Sequence, residues 1–204
     1  FKPKLFWKRN QDMYLFVRHN PSLYRNFHIS NKLGAELNTS YTSKFGVSGV
    51  GVDVNKVTIS SNNLGDRNRS SATLFLEHKL LLANDQLDIT PGVALNHFSD
   101  FGTHIFPGID IGYQFNKVFR LYANAGITYR VPTYTDLYYS SSTTVGDENL
   151  LPESAIAQEL GGVLQFQNIR FSMAFFNRDS EDLIDYIKEN EGDRWKATNF
   201  AKLN

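Results

Sequence analysis

Apolar and polar residues take turns along most of this chain, and the alternation is clearest between Val118 and Arg130. There Phe119, Leu121, Ala123, Ala125, Ile127 and Tyr129 share one parity, while Arg120, Asn124, Thr128 and Arg130 share the other. A period of two puts side chains on opposite faces of an extended strand, so this is a two-faced strand of 13 residues. Ordinary globular strands run about 5 to 6 residues, whereas a tilted strand that crosses a bilayer needs about 10 or more. The same period sets Leu74, Leu76, Leu80 and Leu82 on one face, then Leu87, Ile89, Val93 and Leu95, then Ile105, Ile109, Ile111, Tyr113 and Phe115.

Strands are therefore expected near 1–9, 11–19, 27–40, 44–57, 71–83, 86–97, 104–115, 118–130, 154–166, 168–179 and 194–204, ten or eleven in all. Tight turns are expected at Thr42-Ser43, Asn84-Asp85, Asn116-Lys117 and Gln167-Asn168. Between them fall polar segments that read as longer loops: 60–70, 99–103, 132–152 and 180–193. Short turns alternating with longer loops are the mark of an antiparallel, up-and-down transmembrane β-barrel, with the turns on the confined side. In 44–57 the apolar phase shifts from Phe45 and Val47 to Val50, Val52 and Val54 around Gly49 and Gly51, which predicts a bulge. Pro91 and Pro107 fall within strand patterns and predict bulges or distorted pairing.

Composition sharpens the picture. No run of about 18 apolar residues occurs, which excludes a helical span, yet a barrel wall shows lipid only every second residue and keeps a modest mean hydropathy, here −0.35. Basic and acidic residues balance at 21 each, leaving no footprint for nucleic acid. Ten Tyr and sixteen Phe suit the aromatic girdles of a barrel. Without Cys there is no disulfide or thiolate site. No nucleophile elbow, phosphate-cradling loop or zinc helix is present, so no catalytic residue is assigned and an enzyme is not expected. His97 and His104 bracket a short loop without a third ligand, and Asp179, Glu181, Asp182 and Asp185 lack calcium-loop spacing, so no metal site and no cofactor are assigned.

From Tyr129 onward the chain carries motifs in a specific order. Tyr129-Arg130-Val131-Pro132-Thr133-Tyr134-Thr135-Asp136-Leu137-Tyr138-Tyr139 resembles the R-x-P-(T/S)-x-x-(D/E)-L-(Y/F) run of the TonB-dependent outer-membrane receptors. Gly146 to Ser154 resembles their G-N-P-x-L-x-P-E-x segment and leads to Glu159-Leu160-Gly161. Phe175 to Arg178, Asp182 to Tyr186 and Trp195 to Asn199 resemble the next hairpin. Asp147-Glu148 replaces the usual Asn-Pro, and Leu151 stands where Lys is commoner. Within the family the similarity is greatest to the cobalamin receptors.

The resemblance implies an outer-membrane receptor of a Gram-negative bacterium that takes up a scarce, large ligand when TonB acts on an N-terminal plug. It implies a barrel of about 22 strands, of which residues 1–204 form part of the wall, with plug and signal peptide outside. Implied partners are TonB, membrane lipid, a corrinoid and a surface lipoprotein. A ferric siderophore, haem or oligosaccharide is the substitute ligand, and a passive porin or adhesin barrel the alternative. A soluble β-sandwich would instead bury the apolar faces against each other.

Tyr134, Asp136, Tyr138 and Tyr139 in the 132–152 loop offer flat amphipathic surfaces beside a carboxylate, suited to a bulky ligand; the two adjacent tyrosines also fit a girdle. Trp195 is either an interfacial anchor or a stacking platform. The remaining motif residues, Arg130, Pro132, Leu137, Gly146, Leu150, Pro152, Glu153 and Asn199, are implied by the resemblance to be structural, with Arg130 and Glu153, at the two strand ends of the loop, forming an ion pair or wall hydrogen bonds.

Overall fold

The computed structural model describes residues 1–201. Nine long strands form one antiparallel sheet: β1 (Lys2–Leu15), β2 (Arg25–Ser43), β3 (Gly46–Ser61), β4 (Gly65–Leu82), β5 (Leu87–Phe98), β6 (Gly102–Gln114), β7 (Phe119–Arg130), β9 (Glu153–Phe166) and β10 (Ile169–Glu181). Each pairs with its neighbour in chain order, the up-and-down pattern the alternation predicts. The interposed β8 (Thr144–Val145) belongs to a second, three-stranded sheet with β11 (Leu183–Ile187) and β12 (Trp195–Phe200). Between β7 and β8, residues Tyr134–Tyr138 form one helical turn, α1.

Among the described residues no second layer covers the apolar face, which argues against the sandwich. Val52, Leu74, Leu95 and Ile109 sit on one face of adjacent strands at 41%, 40%, 41% and 38% exposure. The opposite face carries Lys4, Glu36, Asp53, Asp88, Arg120 and Glu159. Single-layer sheets with one bare apolar face belong in lipid, where alternate residues meet hydrocarbon and the others meet water.

Several sequence expectations need correction. The segments 1–9 and 11–19 merge into one strand, β1, which ends at Leu15, because pairing with β2 runs unbroken through Asn10 although residues 8–12 are all polar. The final segment leaves the wall for the small sheet, so the wall has nine strands rather than ten or eleven, and residues 202–204 of that segment lie outside the described residues. No bulge interrupts β3, whose register with β2 and β4 is continuous. Val50, Val52 and Val54 face outward throughout, while Val47, Gly49 and Gly51 share the polar face.

The turn expected at Thr42-Ser43 falls instead at residues 44–45. Segments 60–70 and 99–103 contain three-residue turns, each closed by a glycine of positive φ, Gly65 (75°) and Gly102 (74°), so the flanking polar residues belong to strands. Likewise the 180–193 segment is partly ordered, with β10 reaching Glu181 and β11 beginning at Leu183. The longer connections, 16–24 and 131–152, nevertheless share one end of the wall, and the other end has only turns of two to four residues.

The prolines do distort pairing. Opposite Pro91 the β4–β5 ladder lapses at His78 and Lys79, and beyond Pro107 the β6–β7 ladder ends at Gly108↔Gly126. Both follow from the missing N–H. In the β6–β7 gap the Tyr129 ring stacks on His104, with centroids 3.9 Å apart.

Glycines on the polar face act as slots for their neighbours' side chains. Arg120 crosses the bare backbone of Gly112 to reach Asp88 two strands away at 2.6 Å, and a Cβ on Gly112 would collide with the guanidinium. Gly161 likewise lies under the Tyr122 ring. Gly108, by contrast, has nothing closer than 3.5 Å to an added Cβ. Gly112→Ala is therefore expected to break the Arg120–Asp88 pair and cost about 1 kcal/mol, with Gly108→Ala near neutral. Thermal denaturation of the intact receptor in detergent separates the two.

Candidate functional site

The connection from β7 to β9 is the longest in the chain, and its residues fold into a fixed structure on the loop end of the wall. Thr133 caps α1: its hydroxyl accepts from the Asp136 N–H at 3.1 Å, and the Asp136 carboxylate accepts from the Thr133 N–H at 2.9 Å. This reciprocal box satisfies two donors that a helix start leaves open. Pro132 just before it is fully buried, and its fixed φ sets the entry of the chain.

At the base of the loop, Arg130 at the end of β7 faces Glu153 at the start of β9. The guanidinium donates two hydrogen bonds to the Glu153 carboxylate, at 2.7 and 2.6 Å, and a third to Asp136 at 3.2 Å. Glu153 is 6% exposed and also accepts from the Ile184 N–H at 2.7 Å, which brings β11 onto the same node. The second Asp136 oxygen accepts from the Tyr186 hydroxyl at 3.5 Å. Two carboxylates beside one another are tolerable here because one forked cation bonds both, and the backbone N–H groups of Thr133 and Ile184 each donate to one of them.

The return half of the loop is held by two further devices. Gly146 passes so close to α1 that a Cβ would meet the Asp136 carbonyl oxygen at 2.5 Å, and its N–H donates to the Tyr139 carbonyl at 2.7 Å. Asn199 on β12 copies a backbone edge: its side chain accepts from the Leu151 N–H and donates to the Leu151 and Asp182 carbonyls, at 2.8, 2.9 and 2.6 Å. That pins the chain beside Pro152. Leu137, Leu150, Ile184 and Ala197 close over a small apolar cluster, with Phe101, Tyr138 and Tyr186 packed around it. Loop, wall and small sheet meet there.

From this base the loop runs back along the rim toward β2. Arg69 donates to the Pro132 carbonyl at 3.0 Å, pairs with Asp100 at 2.7 Å, and lies over the rings of Phe101 and Tyr134. Arg67 lies over Tyr138 at 3.7 Å. The match is one of spacing: residues two apart on a strand are about 6.6 Å apart, and one helical turn sets Tyr134 and Tyr138 rings 6.4 Å apart. Farther along, Asn63 and Ser140 exchange two hydrogen bonds of 2.7 and 3.2 Å, and the Tyr139 and Tyr24 hydroxyls meet at 2.8 Å.

The sequence-derived ligand candidates thus occupy different settings. Asp136 is buried and its oxygens are committed to the cap, Arg130 and Tyr186. The Tyr134 hydroxyl is buried without a partner, and burial raises its pKa. Tyr138 and Tyr139 are half-buried, while Trp195, at 45% exposure, joins β8 through Thr144 and carries Lys188 over its ring. Trp195 reaches the loop through its backbone, its N–H donating to the Thr143 carbonyl at 2.8 Å. His97 and His104 face opposite sides of the sheet. Sequence reasoning did not single out Tyr24, Asn63, Arg67 or Arg69; the alternating arginines at 67 and 69 were the available signal.

Asp147 closes the loop against β12 through Lys196 at 3.0 Å. The Asn149 N–H first, and then Lys196, hold its carboxyl below the ordinary value. A depressed folded pKa contributes stability above the unfolded value and loses it as pH falls through the folded one. Thermal midpoints recorded against pH are expected to fall below about pH 4, with a shallower fall in Asp147→Asn. Arg130→Ala strands two carboxylates and is expected to cost about 2 kcal/mol, read by the same melt and by faster proteolysis within 131–152.

Comparison with known proteins fits this architecture. The family described as TonB dependent receptor-like, beta-barrel, matches residues 6–203. A vitamin B12 transporter, BtuB, of Vibrio vulnificus is 28% identical over 102 residues, covering 50% of this chain and 16% of the transporter. A mutant ferric enterobactin receptor of Pseudomonas aeruginosa, solved with enterobactin, superposes with a TM-score of 0.80 at 14% identity, over 98% of this chain and 37% of that one. The copper transporter OprC gives a TM-score of 0.80 at 15% identity, over 97% of this chain and 38% of that one. The chain thus spans less than two fifths of these relatives and shares their wall architecture. It belongs to the TonB-dependent receptor family and forms part of the β-barrel of a Gram-negative outer-membrane receptor.

Proposed function

We propose that the complete receptor binds a bulky, scarce ligand at the loop end of the barrel, a corrinoid in the first instance, and releases it inward when TonB acts on an N-terminal plug. Residues 1–204 then supply barrel wall and recognition surface, and the coupling segment lies outside them. The observation that carries this reading is the built rim: a capped turn, an Arg130–Glu153 node and two arginine–tyrosine stacks fix the 131–152 loop where a ligand would arrive. Rigid scaffolds that present loop aromatics are how binding surfaces gain affinity without paying a large ordering cost.

In this reading Tyr138, Tyr139 and Trp195 meet the ligand, while Asp136 and Tyr134 hold the loop that presents them. The ligand choice rests on the likeness to vitamin B12 transporters across half of the chain. Large flat rings with polar tips suit a broad amphipathic ligand better than a compact ion. Energy coupling separates this reading from a passive porin or adhesin: uptake by the intact receptor is expected to stop in cells lacking TonB.

Calorimetry of the intact receptor with cyanocobalamin and a panel of ferric siderophores tests the ligand. Corrinoid binding is expected, and tight binding of a ferric chelate without corrinoid binding overturns that choice while leaving the family membership in place. Tyr138→Ala combined with Tyr139→Ala is expected to weaken ligand affinity by at least about 1 kcal/mol. An unchanged affinity returns both residues to a purely structural role.

A further inference from the structure

Where the loop meets the far side of the rim, the 16–24 connection and residues 139–143 enclose a cleft of about 320 Å³. Its walls are the rings of Tyr14, Phe16, Tyr24 and Tyr139, and its edge is the hydroxyl-bearing segment 141–143. The rings stand edge to face: Tyr14 and Tyr24 have centroids 6.5 Å apart at 82°, and Phe16 and Tyr24 lie 6.4 Å apart at 77°. Tyr14 and Phe16 remain 54% and 71% exposed, so these two rings are open to a visitor. No charged side chain lines it.

The polar side of the cleft is equally specific. Asn26, 8% exposed on β2, donates to the Tyr24 oxygen at 3.4 Å, and the Tyr24 and Tyr139 hydroxyls share one hydrogen bond of 2.8 Å. Two phenols joined by one bond spend one proton between them, which leaves the other hydroxyl proton for a third partner. A cleft with open aromatic faces, an unspent hydroxyl donor and no charge selects against anions, whose desolvation nothing here repays. Its volume holds a single ring rather than a whole bulky ligand.

We infer that this cleft is a subsite for one flat, uncharged ring carrying hydrogen-bond acceptors, the leading moiety of the ligand that the rim receives. The inference rests on the reading of the rim as a ligand surface and adds residues from β1, the 16–24 connection and segment 141–143 to it. Association proceeds with the ring between Tyr14, Phe16 and Tyr24 and its acceptor on the free phenolic proton. An anionic catecholate is not accommodated.

The test uses the intact receptor in detergent, the double variant Tyr14→Ala with Phe16→Ala, and Tyr24→Phe. Because Tyr14 and Phe16 are exposed, their loss leaves the fold standing, which the thermal midpoint verifies. Cyanocobalamin affinity by calorimetry is expected to fall at least 10-fold in the double variant and about 3-fold in Tyr24→Phe, with ferric enterobactin unaffected. If cyanocobalamin fails to bind the wild-type receptor, the corrinoid proposal falls, and the cleft is judged on its own by saturation-transfer NMR with free benzimidazole and caffeine, two flat neutral rings that carry acceptors. Saturation transfer to either neutral ring in the wild type, lost in the double variant, upholds the subsite. Equal affinity, or equal transfer in both proteins or none in the wild type, overturns it, as does an equal loss of ferric enterobactin binding.

Discussion

Backbone pairing between neighbouring strands carries this structure, because a wall one strand thick has no interior to pack. Among the described residues only seven apolar side chains are buried, and six of them lie in turns, the rim loop or the small sheet: Leu64, Pro132, Leu137, Leu150, Ile184 and Ala197. A soluble domain of this length would draw most of its stability from a core. Here the backbone N–H and C=O groups between adjacent strands, up to 19 residues long, find their partners next door, and lipid on one face enforces that pairing by offering no alternative, while β1 and β10 each pair on one edge only. Where a proline removes a donor the ladder lapses, yet strand order and register survive on either side.

Given such a wall, the polar face becomes a surface on which side chains reach laterally. The glycine slots under Phe6, Phe75, Arg120 and Tyr122 show how: a missing Cβ on one strand lets a ring or guanidinium from its neighbour lie flat. Rigidity thus comes from tiling across strands, in place of packing between layers.

At the loop end the same economy fixes the rim. Strand spacing and helical rise coincide, so Arg67 and Arg69 present their planes to Tyr138 and Tyr134 without distortion of either element. The arginines are occupied by rings, Asp100 and the Pro132 carbonyl, and the neighbouring cleft is left neutral. Charge at this rim goes into architecture, and the surface left open in the cleft is aromatic.

Alternation alone determined the fold class, the orientation of the wall and most strand positions, because parity is a local property that each side chain reports. Leu74, Leu95 and Ile109 declare their face whatever the neighbours do. Motif order marked Arg130, Gly146, Glu153 and Asn199 as structural residues, yet not the contact by which Asn199 holds Leu151. Polar strand ends were illegible: residues 65–70 look like loop until a glycine at positive φ shows that the turn is complete in three residues. Nor could parity tell that 195–200 leaves the wall, since its edge is chosen by the Asp147–Lys196 pair and the Asn199 clamp, contacts separated by about 50 residues of sequence in two of three cases. The tertiary structure alone decided that the rim loop runs back across the strands to meet Tyr24, because 115 residues separate Tyr24 from Tyr139 and no local pattern encodes a contact at that range.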